Sequence, residues 1–393
     1  MRKAYFDHNA ATPLHPEALK AMLPYLGEVF GNPQSLHSAG QQALAAVESA
    51  REEVARLVGA GAEEIYFTSS GSEANTFAVK GLAQAYQAKG KHIVVSAVEH
   101  LSVLNPVKSL EKLGFTSTAV PVDGTGRIDP ADVGKAIRKD TVLVSVMTAN
   151  GEVGTLEPVA EIAAVCRDRG VLFHTDAVAA AGSLPLEVHG LGVDALSLAG
   201  DQFYGPKGSA ALYVKKGTRI LPLIEGGIQE NGRRAGTENV PAIVGLGKAA
   251  AIARAEMGAR TDRLRPLRDL LIDELPRLVD HVILSGHRTE RLPHHASFCV
   301  EFIEGEGMLL LLDMQGISVS SGSACTSKAL KASHVLLAMG LDHALAQGSL
   351  VFGLIDGNVR EDVDHVLEAF PPVIDRLRKM SPLYTKFLKE KKS

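Results

Sequence analysis

Small polar residues at 69–73 (SSGSE) lie between an apolar run and a stretch with helical periodicity. Small side chains let backbone N–H groups come close to an anion, and the N-terminus of a helix favours negative charge. The segment therefore fits a phosphate site. It equally fits an ordinary helix start with Ser72 as the N-cap, and the spacing alone does not separate the two interpretations.

Two further polar side chains come just after apolar runs. Asp176 follows the run 171–173, and His100 follows the run 93–97. The carboxyl ends of parallel strands are where α/β sheets place their ligands, so both residues are candidates for binding. Asp176 could instead cap a helix, and His100 taken singly is better explained as a structural histidine.

Cys325 stands among serines, glycine and threonine, which indicates an exposed loop and a reactive thiol. Cys166 falls in an amphipathic helical pattern and Cys299 in an apolar strand, so we expect both to be packing residues. His294 and His295 could suggest a metal, but adjacent residues of a strand cannot easily face one ion.

The apolar pattern predicts the elements that position these residues. One helix is expected over 40–58, and short runs that are apolar on both faces alternate with helices, which indicates a mostly parallel sheet covered on both sides. Strands are expected at 65–68, 93–97, 142–147, 171–173, 195–198 and, close to the sheet edge, 210–214.

From about residue 240 the pattern changes. A long helical region over 241–280 is followed by shorter candidates, which predicts a second, smaller α+β domain. We expect a large α/β domain over 14–255, and a small domain formed by 1–13 and 256–393 that carries Cys325. The shorter candidates are strands at 296–302 and 317–320 and helices at 334–339 and 360–379.

Composition limits the class of protein. The 393 residues are 46% hydrophobic and 22% charged, which allows a large core, and the net charge of -4 argues against a nucleic-acid binder. No uninterrupted apolar run reaches the roughly 18 residues of a membrane span. Three cysteines cannot form a disulfide framework in a chain of this length, so we expect a soluble, cytoplasmic protein with reduced thiols.

Taken together, several motifs in order along the chain resemble the cysteine desulfurases of the NifS/IscS class. The resemblance covers nearly the whole sequence. It is carried by residues 5–13 (YFDHNAATP), 31–37 (GNPQSLH), 71–75 (GSEAN), 98–100 (VEH), 174–177 (HTDA), 204–208 (YGPKG), 234–239 (RAGTEN) and 321–327 (SGSACTS).

The resemblance implies an α/β protein with the fold type I architecture of pyridoxal-phosphate (PLP) transferases, with a mostly parallel seven-stranded sheet, working as a homodimer. In such enzymes a lysine holds PLP as a Schiff base, and a loop cysteine takes sulfur from L-cysteine as a persulfide. By resemblance His100 would stack on the PLP ring, Asp176 would pair with its nitrogen and Cys325 would accept the sulfur. The expected phosphate and cofactor contacts are Gly71, Ser72, Asn150 and, from the partner subunit, Thr237.

Six positions depart from the family's pattern. Gln202 stands in place of the Schiff-base lysine, and Val351 in place of the arginine that binds the substrate carboxylate. Lys207 should point elsewhere, because it lies five residues on, past glycine and proline. The other departures are Ala199 for a phosphate-binding serine, Asp201 for a histidine, Gly151 for an asparagine and Ala179 for a glutamine.

These departures favour a desulfurase-like protein with a degenerate PLP site. It would serve in sulfur transfer or iron–sulfur cluster assembly, with Cys325 as persulfide acceptor or as a ligand of a cluster shared with a scaffold protein. The alternative is an active cysteine desulfurase with PLP bound non-covalently, in which His100 or Asp201 moves the proton. A purely structural or regulatory subunit and another kind of PLP enzyme are weaker alternatives.

Overall fold

The computed structural model describes residues 2–321 and 332–391, which contain twelve strands. They are short, and most are buried along their whole length. Their bounds are β1 (Ala4–Tyr5), β2 (Ile65–Thr68), β3 (His92–Ser96), β4 (Thr116–Val120), β5 (Thr141–Ser145), β6 (Leu172–Asp176), β7 (Ala195–Ala199), β8 (Ala210–Val214), β9 (Val282–Leu284), β10 (His295–Val300), β11 (Ile317–Ser318) and β12 (Ser349–Gly353).

Fourteen α-helices lie in the same described ranges, and none of them is long and apolar enough to cross a membrane. Their bounds are α1 (Pro16–Met22), α2 (Ser38–Val58), α3 (Gly71–Ala85), α4 (Leu101–Glu111), α5 (Pro130–Ala136), α6 (Val159–Arg169), α7 (Val188–Leu191), α8 (Gln229–Gly232), α9 (Val240–Leu278), α10 (Gly305–Asp313), α11 (His334–Ala338), α12 (His343–Gln347), α13 (Arg360–Met380) and α14 (Pro382–Glu390).

The central sheet has seven strands in the order β2-β8-β7-β6-β5-β3-β4, which confirms the predicted mostly parallel sheet. Only β8 pairs antiparallel, with β2 and with β7. Apolar β-branched residues dominate the central strands β3 and β5, and helices cover both faces of the sheet with separate cores. The carboxyl ends of β6 and β7 therefore open at one edge, beside the start of α3.

A second core forms around the three-stranded sheet β12-β10-β9 and helix α13. The N-terminal strand β1 pairs parallel with β11, and Ala4 of this strand and the following Phe6 lie in this core. Helix α9 runs from the large sheet's core into this second core, so the boundary expected between 255 and 256 falls inside a helix. The division into two domains stays a prediction.

Several sequence expectations shift by a few residues. Strand β6 extends to Asp176, so this residue ends the strand instead of following it. Helix α3 begins at Gly71 with Ser70 as its N-cap, so the alternative interpretation of Ser72 as the cap is wrong. The edge strand β4 and the buried strand β12 were not predicted.

Candidate functional site

The turn between β2 and α3 is held by its own side chains. The Ser70 hydroxyl accepts a hydrogen bond from the Glu73 N–H (3.1 Å), and the Glu73 carboxylate accepts one from the Ser69 N–H (3.0 Å). Arg234 pairs with the other oxygen of Glu73 at 3.0 Å, so this carboxylate is neutralised. Ser72 lies exposed in the first turn, where a phosphate would meet the positive end of the helix.

Gly71 brings three elements of the site together. A Cβ atom at this position would lie 2.6 Å from Val178 and 3.5 Å from Ala199, so any side chain would collide with the segment after β6. The glycine is therefore required for α3 to start directly over the carboxyl ends of β6 and β7. Ala199, at the end of β7, presents only a methyl group to this turn.

A continuous set of hydrogen bonds joins Asp176 to His100. Asn75 of α3 donates from Nδ2 to Asp176 Oδ2 (2.6 Å) and to Ser102 Oγ (2.9 Å), and Ser102 Oγ lies 2.7 Å from His100 Nδ1. The structure thus brings together two of the residues singled out in the sequence. It links them through Asn75 and Ser102, to which the sequence assigned no role.

Asp176 and the neighbouring Glu99 influence each other's ionisation. Burial raises the pKa of Asp176, an effect that is partly offset by the N–H of Val178 and by the nearby His100. Glu99 is fully buried beside Asp176 and accepts one hydrogen bond from the Met147 N–H (2.8 Å). Burial and the neighbouring carboxylates raise the pKa of Glu99 well above its usual range, so of these two acids Asp176 ionises first.

Gln202 lies in the short 3-10 helix Gly200–Gln202 that follows β7, and it is buried. Its Nε2 donates to the backbone oxygen of Asn9 at 3.4 Å, and its own backbone oxygen lies 2.9 Å from His8 Nε2. The amide side chain therefore belongs to the packing between the N-terminal segment and the end of β7. Asp201 beside it is only partly buried, and burial raises the pKa of its carboxyl group.

Asn150 and Gly151 form the turn after β5. The Asn150 amide donates to the Val98 oxygen (3.0 Å) and accepts from the N–H groups of Glu152 and Val153, so much of its hydrogen-bonding capacity stabilises the turn. Gly151 lies next to Ala179, since a Cβ on the glycine would be 3.8 Å from the alanine methyl group. Two of the six departures are therefore neighbours, and both lack a polar side chain.

Val351 occupies the middle of β12 and is buried. Its backbone pairs with Ser297 of β10 on one side and with Ser320 on the other. The neighbouring acid is Asp7, whose pKa is raised by burial and lowered in part by a hydrogen bond from Ser320. Strand β12 thus has an apolar side chain at the position where the family's pattern has an arginine.

The remaining residues singled out in the sequence are a threonine, a lysine and the three cysteines. Thr237 is exposed in the segment between α8 and α9. Lys207 is exposed after the 3-10 helix, and its positive charge lowers the pKa of Asp201 in part. Cys325 lies outside the residues that the structure describes. Cys166 and Cys299 are buried as predicted, and burial raises the pKa of each thiol to about 12, which keeps both unreactive.

His294 and His295 turn to different partners. The His294 ring stacks on His8 with 4.1 Å between the ring centroids, while His295 Nε2 lies 3.1 Å from the Gly151 oxygen. Burial lowers the pKa of His295 to about 3. These rings therefore act in packing and hydrogen bonding around the turn of Gly151.

Comparison with known proteins gives matches over the full chain. A family model described as aminotransferase class-V matches residues 4–366. A curated protein named cysteine desulfurase IscS from Dictyoglomus turgidum is 48% identical over 392 residues, and the match covers 100% of both chains. A protein of the same name from Methanosarcina thermophila is 48% identical over 385 residues, covering 98% of this chain and 95% of the relative.

Solved structures are also similar over nearly the whole chain. A NifS-like protein superposes with a TM-score of 0.90 and 35% identity, covering 96% of this chain and 100% of the other. A NifS-like protein from Rickettsia africae superposes with a TM-score of 0.86 and 29% identity, covering 95% of this chain and 100% of the other.

Proposed function

The chain belongs to the cysteine desulfurases of the class-V aminotransferase family, and we propose that it acts in sulfur transfer and iron–sulfur cluster assembly through Cys325, with a PLP site that has lost its covalent attachment. The loss of covalent PLP attachment is inferred from Gln202. A buried glutamine, hydrogen-bonded to the N-terminal segment, stands where the family's pattern has the lysine.

The residues present fit a PLP molecule at three of its parts. Asp176 supplies a buried acceptor for the ring nitrogen, His100 lies beside it for the ring face, and the first turn of α3 with Gly71 and Ser72 supplies the phosphate end. Asn150 would contribute from the turn after β5. When bound, PLP would supply an electron sink for bond cleavage next to an amine.

The same site is poor in groups that would hold PLP tightly or move protons. The amide of Gln202 cannot form an imine, and it has no proton that titrates near neutral pH. Asp201 would repel a phosphate, and Ala199 offers it no hydroxyl group. Val351 gives a substrate carboxylate no charge to pair with, which should cost about 2–5 kcal/mol of binding relative to an arginine.

Cys325 would carry the function that remains. The thiolate among small polar residues can attack the outer sulfur of a donor protein's persulfide, which breaks the donor's S–S bond, releases the donor as a thiolate and leaves the persulfide on Cys325. It can alternatively contribute a thiolate to an iron–sulfur cluster on a scaffold protein. The partners we propose are therefore a cluster scaffold or a sulfur-acceptor protein. We also propose a cytoplasmic location, where the thiol stays reduced.

A second candidate function, an active cysteine desulfurase with non-covalently bound PLP, is favoured by one observation. The hydrogen-bonded set from Asp176 to His100 is intact. In this case L-cysteine would lose its sulfur to Cys325, with His100 or Asp201 moving the proton in place of the lysine.

Purified protein, prepared anaerobically, should show weak or no PLP absorption and no sulfide release from L-cysteine. Iron–sulfur absorption, acquired with a scaffold partner, should be lost in Cys325→Ala and kept in Cys166→Ala, whose thiol is buried. A PLP band that shifts on adding cysteine, with sulfide formed, would establish the second candidate. A silent Cys325→Ala in both sulfur-transfer and cluster-assembly assays would contradict both candidates and leave a structural subunit.

We further propose a homodimer, because an apolar surface lies beside the segment that carries Thr237. Phe30 and Leu36 are 82% and 93% exposed, and Leu23 and Leu26 are exposed just before them. Gln34, within this surface, donates to Glu238 at 3.0 Å, so the surface and Thr237 would meet a partner together.

Sedimentation velocity should give twice the mass of one chain for the wild type and a single-chain mass for Phe30→Glu. Val359→Glu, which adds the same charge at an exposed apolar site on the second core's side of the chain, is the matched control. A monomeric wild type would contradict the dimer.

A further inference from the structure

The amide of Asn75 lies between the two best-supported side chains of the site. Asn75 is only 1% exposed, and it projects from α3 toward the end of β6. Both hydrogens of its Nδ2 have acceptors, since this nitrogen is 2.6 Å from Asp176 Oδ2 and 2.9 Å from Ser102 Oγ.

The direction of the hydrogen bonds is determined at the His100 end. His100 Nδ1 accepts the N–H of Ser102 at 3.1 Å, so this nitrogen carries no proton. The Ser102 hydroxyl, 2.7 Å away, must therefore donate to the same nitrogen. Its oxygen is then free to accept from Asn75.

The direction is also determined at the Asp176 end. Oδ1 of Asp176 accepts the Val178 N–H at 2.9 Å, and Oδ2 accepts from Asn75. The Oδ1 atom of Asn75 is buried and has no hydrogen-bond partner among the described residues. Turning the amide over would place this oxygen against the carboxylate, so the observed orientation of Asn75 favours an ionised Asp176.

We propose that Asn75 is a positioning residue that keeps Asp176 ionised and, through Ser102, aligns His100 with it, so that both face one aromatic ring. The ionisable groups around Asp176 are His100, whose Nδ1 acts as a hydrogen-bond acceptor, and the buried Glu99, whose carboxyl group opposes the ionisation of Asp176. Asn75 favours the ionised form, because its short N–H hydrogen bond is stronger to a carboxylate than to a neutral carboxyl group. The consequence for PLP rests on the proposed function, whereas the ionisation of Asp176 does not.

The test is the titration of Asp176 in the full-length protein without PLP. Carbon-13 in the aspartate carboxyl groups reports each ionisation, and Asp176→Asn identifies the signal. Asn75→Leu keeps a similar volume but has no donor. We expect it to raise the proton affinity of Asp176 at least tenfold, a shift of one pH unit or more. Asn75→Ala should give the same shift if the leucine does not fit.

Asn105→Leu, which changes an exposed asparagine on α4, is the control and should leave the signal of Asp176 unchanged. An Asp176 titration that is the same in the wild type and in a folded Asn75 variant would overturn the proposal. Affinity for PLP, measured separately, tests the proposed function. Failure to bind PLP would therefore leave the titration result valid.

Discussion

Gln202→Lys combined with Val351→Arg should raise sulfide release from L-cysteine by several orders of magnitude, whereas neither substitution alone should do so. Gln202→Lys supplies an amine that can attach PLP covalently and move protons. Because Gln202 is buried, the pKa of a lysine there should be lowered by desolvation, which leaves the amine free to react near neutral pH.

Val351→Arg acts on the other requirement, substrate binding. An arginine in the middle of β12, at the position that pairs with Ser320, would offer a substrate carboxylate two parallel hydrogen bonds. A gain of about 2–5 kcal/mol corresponds to a KM for cysteine lower by about 30-fold to about 4,000-fold. Gln202→Lys alone should therefore bind PLP covalently and still turn over slowly at low cysteine concentration.

The measurements are the absorption spectrum of bound PLP and the dependence of sulfide release on cysteine concentration. Val359→Arg, which places the same charge at an exposed apolar residue, replaces Val351→Arg in the control combination. Wild-type turnover at the rate of the double variant would show that the six departures do not impair the site. Equal KM values for the single and double variants would show that Val351 does not face the substrate.

The sequence predicted the central sheet well because its strands are runs of consecutive apolar residues, buried on both faces. Strand β4 escaped prediction since its sequence, TSTAV, is polar and mostly exposed at the sheet edge. Strand β12 was not predicted for a different reason. Its short apolar run fits a strand or a buried helix equally, and its partner β10 lies about fifty residues away in the chain.

Within the site, the sequence could identify residues that lie in motifs but not the contacts between them. Asn75 and Ser102 are 27 residues apart and meet only because α3 and α4 pack on the same face of the sheet. Glu99 adjoins His100 in sequence, yet its side chain turns into the core beside Asp176. Ser72 was the cap considered from the sequence because two serines two residues apart satisfy the same pattern, and only the backbone conformation distinguishes Ser70 from Ser72.

Glu230→Ala should lower the free energy of unfolding by about 3–5 kcal/mol, the largest loss of stability that we expect from a single side chain outside the apolar cores. Both oxygens of Glu230 are paired with Arg51 of α2 at 2.8 Å, and one also accepts the Phe67 N–H at 2.8 Å. The two side chains are only 3% and 10% exposed. Removing the acid would leave the buried guanidinium with only Glu48 as a counter-charge, at 3.2 Å and half exposed to solvent.

The position of Glu230 explains why such a costly pair is used here. Glu230 has a positive φ of 48°, a backbone conformation that is strained for residues other than glycine. We infer that the ion pair holds the backbone in this conformation. The same segment leads to Arg234, which pairs with Glu73 in the first turn of α3. The pair thus fixes the segment carrying Thr237 against the strand that precedes the phosphate turn.

Chemical unfolding followed by circular dichroism provides the measurement. Glu52→Ala breaks an ion pair with Arg56 in the same helix α2, also at 2.8 Å, but these side chains are 54% and 50% exposed, so the loss should stay below about 1 kcal/mol. Arg51→Met with Glu230→Leu removes both charges and should recover most of the stability lost in Glu230→Ala. If this double variant were as unstable as Glu230→Ala, the cost would lie in the strained backbone and not in the unpaired charge.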